Sequence, residues 1–167
     1  GYSATRIASV NGNWSNAATW GGNPVPTASD DVTINNGIAV TVNVAAYCNT
    51  LTTANSGTLT ISGTNTLTVT GLINMIRPAT NNTSFTIAVG TGSLVAGALT
   101  MNATTTTRNN IITISTGTVT INGTVTTGTT GCQFVFNGNG LLKFGGSFSG
   151  GPDTLTAANG TIEYTGT

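Results

Sequence analysis

The chain has 167 residues, of which 5% are charged and none is His, and its formal net charge is zero. Four basic residues cannot form the basic stripe that phosphate backbones require, so we expect no nucleic-acid partner. No apolar run approaches the ~20 residues of a membrane span, so we expect no membrane insertion. Because 38% of the residues are hydrophobic, the composition favours a folded domain over a disordered chain.

Residues 1–29 carry both Trp residues, in the stretch GNWSNAATWGG. We predict that this segment is an N-terminal cap, because the end of a stacked core and its unpaired backbone groups need to be covered. Trp14 and Trp20 are the candidates for closing the core. In the alternative interpretation the two rings form a platform on which sugars stack, which makes Trp14 and Trp20 candidate binding residues.

The carboxylates are few and scattered. Asp30 and Asp31 are adjacent, so on a strand they face opposite sides, and Asp153 and Glu163 lie near the other end of the chain. Polysaccharide-cleaving enzymes need clustered carboxylates and usually a base. We therefore predict no enzymatic activity, no cofactor and no metal site. A calcium ion at Asp30 and Asp31 is the alternative, if backbone carbonyls supply the remaining ligands.

From residue 30 onward, apolar and polar residues alternate with the period expected of strands that bury one face. Residues 31–42 superimpose on residues 58–69 at an offset of 27 (58 minus 31). Each repeat thus contains two inward pairs, followed by a Gly and a third apolar segment. The predicted first pairs are Val32/Ile34, Leu59/Ile61, Phe85/Ile87, Ile112/Ile114 and Phe134/Phe136, and the second pairs are Val40/Val42, Leu67/Val69, Leu94/Ala96, Val119/Ile121, Leu142/Phe144 and Ile162/Tyr164.

A repeat of 20–30 residues made of short strands is typical of a solenoid. We predict an all-β fold, a right-handed parallel β-helix of about five coils over residues 30–167. Each strand would pair with its equivalent one coil away, ~4.8 Å along the axis, and the inward pairs would stack. The handedness follows from the general preference for right-handed parallel crossovers.

The outward positions are rich in Thr. In the predicted register Thr33, Thr60, Thr86 and Thr113 point out of the first strand and form a ladder. This ladder is a candidate binding surface for glycans. It could also order water and bind ice, but such a face usually needs two matched Thr columns and the predicted register supplies one.

The two Cys residues are predicted to be free. Cys48 matches Met75 in the repeat, and Cys132 precedes the first strand of the fifth coil. Four coils at ~4.8 Å separate them by more than the ~7 Å that a disulfide spans between Cα atoms. We expect both to be small buried residues of the core.

The stretch GTIEYTGT, residues 160–167, completes a second strand and no third segment follows it. Two kinds of partner are predicted for this end. The first is an adjoining coil of a longer parent chain. The second is a further copy of the same chain, whose head-to-tail contact would produce a fibre.

The stretch GNWSNAATWGGNPVPTASDDVTINNGIAVTV resembles the opening of many secreted, cell-surface β-solenoid proteins of Bacteroidota that the type IX system exports, and also the start of G8-type domains. The final GTIEYTGT is similar to a phrase that recurs in those surface proteins. The resemblance implies a secreted, extracellular and non-enzymatic module with a structural or adhesive role, with glycans as possible partners. It also implies that Thr154, in Asp153-Thr154-Leu155, is a candidate O-glycosylation site. A self-assembling fibre subunit, a carbohydrate-binding module and, less favoured, an ice-binding protein are the alternative functions.

Overall fold

The computed structural model describes residues 2–166, without the side chain of Thr156. Within these residues, one short 3-10 helix, Ala17–Trp20, accompanies eighteen strands. The strands are β1 Thr5–Ala8, β2 Gly12–Asn13, β3 Asp31–Ile34, β4 Ile38–Val42, β5 Ala46–Cys48, β6 Thr50–Thr53, β7 Gly57–Ile61, β8 Thr66–Met75, β9 Thr83–Val89, β10 Ser93–Met101, β11 Arg108–Ile114, β12 Thr118–Ile121, β13 Val125–Thr127, β14 Cys132–Phe136, β15 Leu141–Phe144, β16 Phe148–Ser149, β17 Thr154–Thr156 and β18 Thr161–Tyr164.

The strands pair in parallel and stack in three columns. The first column contains β1, β3, β6, the second halves of β8 and β10, β13 and β16. The second contains β2, β4, β7, β9, β11, β14 and β17. The third contains β5, the first halves of β8 and β10, β12, β15 and β18. The first and third columns share one sheet, and the whole is a parallel β-solenoid. The predicted all-β solenoid fold is therefore confirmed, with about six turns in place of the predicted five.

The predicted register is wrong in the first coils. Val32 pairs with Leu51 and Val40 pairs with Leu59, at an offset of 19 (51 minus 32), so Val32 and Leu59 do not stack. The cause is β6, a strand that the sequence analysis missed. Residues 31–42 occupy the first and second columns, whereas residues 58–69 occupy the second and third. Both stretches have the same alternating pattern, and alternation alone does not reveal which column a strand joins.

A second error is a slip of two residues in the second column. Leu59 pairs with Ile87, not Phe85, and Ile87 pairs with Ile112. Phe85 pairs instead with Asn110, a buried polar residue at an inward position. Because side chains alternate with period 2, a two-residue slip keeps every apolar residue inside and the pattern does not detect it.

The register predicted for the later coils is confirmed. Aligned inward residues follow the third column from β8 to β18, and the step from β11 to β14 in the second column was also correct. The confirmed third-column row is Leu67, Leu94, Val119, Leu142 and Ile162.

The inward side chains form one continuous core along the stack. At its first coil the rings of Trp14 and Trp20 lie 5.0 Å apart in an edge-to-face arrangement. Near the other end Phe144 packs edge-to-face on Phe134 at 5.8 Å and on Phe148 at 5.1 Å. Aromatic rings thus fill both end regions of the core, and its middle is mainly aliphatic apart from the buried Phe85 on β9.

The N-terminal segment is part of the stack. β1 pairs with β3, and β2 pairs with β4, both in parallel. Residues 1–29 therefore contribute strands to the first coil in addition to the two Trp side chains. This segment was predicted to lie wholly outside the repeat, whereas β1 and β2 pair with strands of the repeat.

The glycines that follow the second inward pair mark a corner where adjacent coils come very close. A methyl group at Gly123 would collide with the carbonyl oxygen of Gly97, and one at Gly97 would collide with that of Thr70. A Cβ is therefore excluded by the neighbouring backbone. Repeated Gly at this corner is a requirement of coil stacking.

We expect Gly123→Ala to destabilise the fold by about 1–3 kcal/mol, because the added methyl must push two coils apart. The matched control is Gly151→Ala, since nothing lies within 4 Å of a Cβ built at Gly151; its effect should be within about 0.5 kcal/mol. Urea unfolding of both variants measures the difference. Equal stabilities would contradict the close approach at this corner.

Candidate functional site

Both Trp side chains are inside the protein, each with 1% of its surface exposed. The 3-10 helix Ala17–Trp20 places Trp20, and its ends are capped by the Asn16 side chain and by Gly21 in the left-handed conformation. The Trp20 Nε1 donates to the Trp14 carbonyl oxygen at 2.8 Å. Neither ring presents a face to solvent on which a sugar could stack. Their location agrees with a cap.

Asp30 is a buried carboxylate that holds the N-terminal segment against the first coils. It is 2% exposed and accepts hydrogen bonds from the Ala4 amide at 3.0 Å, the Thr27 amide at 2.8 Å and the Thr27 hydroxyl at 2.9 Å. The Arg6 Nε lies 3.8 Å from its Oδ2. The Thr27 amide is the main cause that lowers the pKa of Asp30 below its ordinary value of 3.8, while burial acts in the opposite direction.

Asp31 faces the other side of β3 and has different partners. Its Oδ1 accepts hydrogen bonds from the Asn49 Nδ2 at 2.8 Å and from the Thr50 hydroxyl at 2.7 Å. The two adjacent carboxylates therefore bind separate sets of groups and do not converge. Within residues 2–166, no three His, Cys, Asp or Glu side chains are grouped as metal ligands would be, and no pocket is present.

The predicted ladder of Thr33, Thr60, Thr86 and Thr113 is wrong. Thr33 lies in the first column, whereas the other three lie in the second column. There Thr60 and Thr113 both pair with Ala88, while Thr86 occupies the neighbouring outward row, where it pairs with Thr58. The two register errors placed side chains of different rows in one row.

A different row of polar side chains does run along the stack. We call it the hydroxyl ladder; it occupies matching outward positions on six successive strands of the first column. The sequence analysis missed it because its second member lies on the unrecognised β6. Uncharged hydroxyl and amide groups in such a row can exchange hydrogen bonds with water or with a neutral polar ligand. Its members are Thr33, Thr52, Asn74, Thr100, Thr126 and Ser149.

Thr154 is the first residue of β17, the last described strand of the second column. It is half-buried and pairs with Gln133. Glycosylation of Thr154 stays a prediction.

The two Cys residues are free and buried, in agreement with the sequence analysis. Cys48 lies in the third column opposite Val69, not opposite Met75 as predicted. Burial, with smaller contributions from Asp31 and Asp30, raises the pKa of its thiol from 9.0 to about 12. Burial also raises the pKa of Cys132, whose Sγ donates to the Met101 carbonyl oxygen at 3.3 Å.

We expect both native thiols to be unreactive in the folded protein, because they are buried and remain protonated near neutral pH. Titration with a thiol-specific chromogenic reagent at pH 8 should detect no thiol in buffer and both thiols in guanidinium chloride. As a control, Thr58→Cys, at an exposed position of β7, should add one thiol that reacts at once. Rapid labelling of the wild-type protein would contradict the burial of the two side chains.

We expect Asp30→Asn to lower the free energy of unfolding by about 1.5–3 kcal/mol at neutral pH, because charge-assisted hydrogen bonds are lost. A lowered pKa means that the carboxylate stabilises the fold fully above its ordinary value of 3.8 and loses this effect as the pH falls through the folded value. The difference from wild type should therefore shrink below pH 4. Chemical denaturation at several pH values measures it, with Glu163→Gln, a partly exposed carboxylate in a surface ion pair with Lys143, as the control. A difference that stays constant down to pH 2 would contradict this role of Asp30.

No family model, curated protein or solved structure matches this chain. The assignment of the fold therefore depends on the strand pairing described above. No helix in residues 2–166 is both long and apolar enough to cross a membrane.

Proposed function

We propose that the chain is a non-enzymatic structural module of an extracellular bacterial surface protein, where it acts as a rigid spacer. The observation that carries this proposal is the single core that runs from Trp14 and Trp20 to Phe144, enclosed by parallel strands that pair coil on coil. In a solenoid each coil contacts only its neighbours, so length is added one coil at a time, by ~4.8 Å per strand.

The composition of the exterior supports an extracellular location, because hydroxyl groups rather than charged side chains contact water. Four acidic and four basic residues are spread over 167 positions, and hydroxyl side chains occupy many outward positions of the strands. The resemblance of residues 12–42 to the opening of secreted surface β-solenoids supports export and a place on the cell surface. An adhesive role, with glycans as ligands, belongs to the same proposal.

The edges of the stack support continuation by further strands. β17 and β18 each pair on one side only among the described strands. Tyr164 on β18 is 60% exposed and lies 5.3 Å from Phe144. An unpaired parallel edge beside exposed aromatic surface accepts another strand readily. That strand would be an adjoining coil of the parent chain or, in the alternative function, the cap of another copy in a fibre.

A rigid spacer should hold its two ends at one distance. Ile7 and Ser149 lie in the same outward row, six strand steps apart from β1 to β16. Spin labels on Ile7→Cys and Ser149→Cys should give one narrow distance distribution centred near 30 Å, since each step is ~4.8 Å. The pair Ile7→Cys and Asn74→Cys, three steps apart, is the control and should give about half that distance.

A broad or double distribution would contradict a rigid spacer. Ordered filaments of constant axial repeat, seen by electron microscopy at micromolar concentration, would overturn it in favour of a fibre subunit. Antibodies against the protein should label intact cells of the source organism, and labelling only after permeabilisation would contradict the surface location.

A further inference from the structure

We propose that a corner of the solenoid carrying two arginines binds an acidic group, a sulfate ester or a carboxylate, of a polysaccharide. We call it the arginine corner; it consists of residues 76–83 and 102–108. This binding site is additional to the spacer role and does not depend on it. It also differs from the Trp side chains and the Thr ladder that the sequence analysis considered.

The first observation is how the cations are paired. Of the four basic residues, Arg6 lies 3.8 Å from the Asp30 carboxylate and Lys143 lies 4.0 Å from that of Glu163. Among residues 2–166, no carboxylate lies within 4.0 Å of Arg77 or Arg108. Both cations without an acidic partner therefore lie on the same corner.

The second observation is that each loop of the corner accepts a hydrogen bond from the arginine of the other loop. The loops lie on successive coils, because Met75 pairs with Met101 before them and Thr83 pairs with Arg108 after them. The Arg77 Nη1 donates to the Thr104 hydroxyl of the later loop at 3.1 Å. In the opposite direction, the Arg108 Nε donates to the Asn81 Oδ1 at 2.8 Å.

These contacts link the two loops that carry Arg77 and Arg108. An isolated antiparallel bridge joins Thr105 to Arg108, so the later loop folds back on itself. Thr104, the partner of Arg77, is therefore adjacent to the bridge partner of Arg108. The Asn82 amide also donates to the Thr107 carbonyl oxygen at 2.7 Å, which fixes one loop on the other.

Most of the donors on both arginines remain available. Each guanidinium makes one side-chain hydrogen bond within residues 2–166, out of five N–H groups. A planar guanidinium donates two parallel hydrogen bonds to a carboxylate or a sulfate, which a Lys cannot do. Because Thr104 and Asn81 already orient the two groups, little conformational freedom is lost when an anion binds.

The surroundings favour a sugar chain as the carrier of the acidic group. The loops present exposed neutral donors and acceptors, which match the hydroxyls of a sugar. Two cations are too few for a nucleic acid, which would need a longer basic stripe or aromatic platforms. Asp153 lies on the same corner in a later coil. Its carboxylate accepts a hydrogen bond from the Gly131 amide and lies more than 4.0 Å from both arginines. The exposed side chains of the loops are Thr80, Asn81, Asn82, Thr104, Thr105, Thr106 and Thr107.

Affinity electrophoresis of the whole protein tests this site. Gels contain dextran sulfate, polygalacturonate or neutral dextran at low ionic strength, since surface charge interactions weaken with salt. The wild-type protein should be retarded by at least one acidic polymer and not by neutral dextran. Retardation by dextran sulfate alone identifies a sulfate ester, and retardation by polygalacturonate alone identifies a carboxylate.

The variants separate the site from net charge. Arg77→Gln with Arg108→Gln should weaken binding by about tenfold or more. The single variants Arg77→Gln and Lys143→Gln remove the same charge, but only Arg77→Gln should weaken binding. Arg77→Lys keeps the charge and loses the planar fork, so it should still weaken binding by about threefold. Thermal unfolding should confirm that all variants are folded.

Three results would overturn the proposal. The first is the absence of retardation by either acidic polymer. The second is an equal loss of binding in Lys143→Gln, which would show an effect of net charge alone. The third is binding of single-stranded DNA as tight as that of the acidic polysaccharides, which would show that the corner does not select sugar chains.

Discussion

The stacking of each coil directly on the next is the constraint on which the rest of the structure depends. Parallel pairing of equivalent strands satisfies the backbone groups and places inward side chains in rows, so a residue is buried by its neighbours one coil away. Where the backbones approach most closely, as at Gly97 and Gly123, no Cβ fits. The same stacking holds Asp30 and the two Trp rings at the first coil, so the N-terminal segment is part of the solenoid.

The sequence was sufficient to predict the fold class, the buried free thiols and the register of the later coils. It was insufficient where the same apolar pattern fits two different strand positions. Residues 50–53, β6, have a single apolar inward residue, Leu51, because the second inward position is the buried Thr53, so the apolar pattern did not mark them as a strand. Phe85, Ile87 and Val89 offer three inward apolar positions in a row, which makes a slip of two residues invisible. The predicted Thr ladder failed for these reasons, and the hydroxyl ladder required the correct pairing.

The proposed binding corner was missed for another reason. Arg77 and Arg108 are 31 residues apart (108 minus 77), and their proximity depends on loops from successive coils. Composition showed too few cations for a nucleic-acid stripe, but it did not show that Arg6 and Lys143 pair with acids while Arg77 and Arg108, without such partners, lie on one corner. A neutral chain can therefore carry a locally positive surface. In a spacer, such a corner would add a point of attachment without altering the core.

Cross-linking of introduced Cys pairs on the second column tests the stacking register most directly. Thr60 and Ala88 are direct partners on β7 and β9, whereas Thr60 and Thr86 are two residues out of register. Direct partners in adjacent strands are ~4.8 Å apart, inside the Cα range of a disulfide, and the offset pair exceeds its limit of ~7 Å. Mild oxidation should therefore cross-link Thr60→Cys with Ala88→Cys and leave Thr60→Cys with Thr86→Cys reduced. Efficient cross-linking of the second pair and not the first would contradict the register on which the whole account depends.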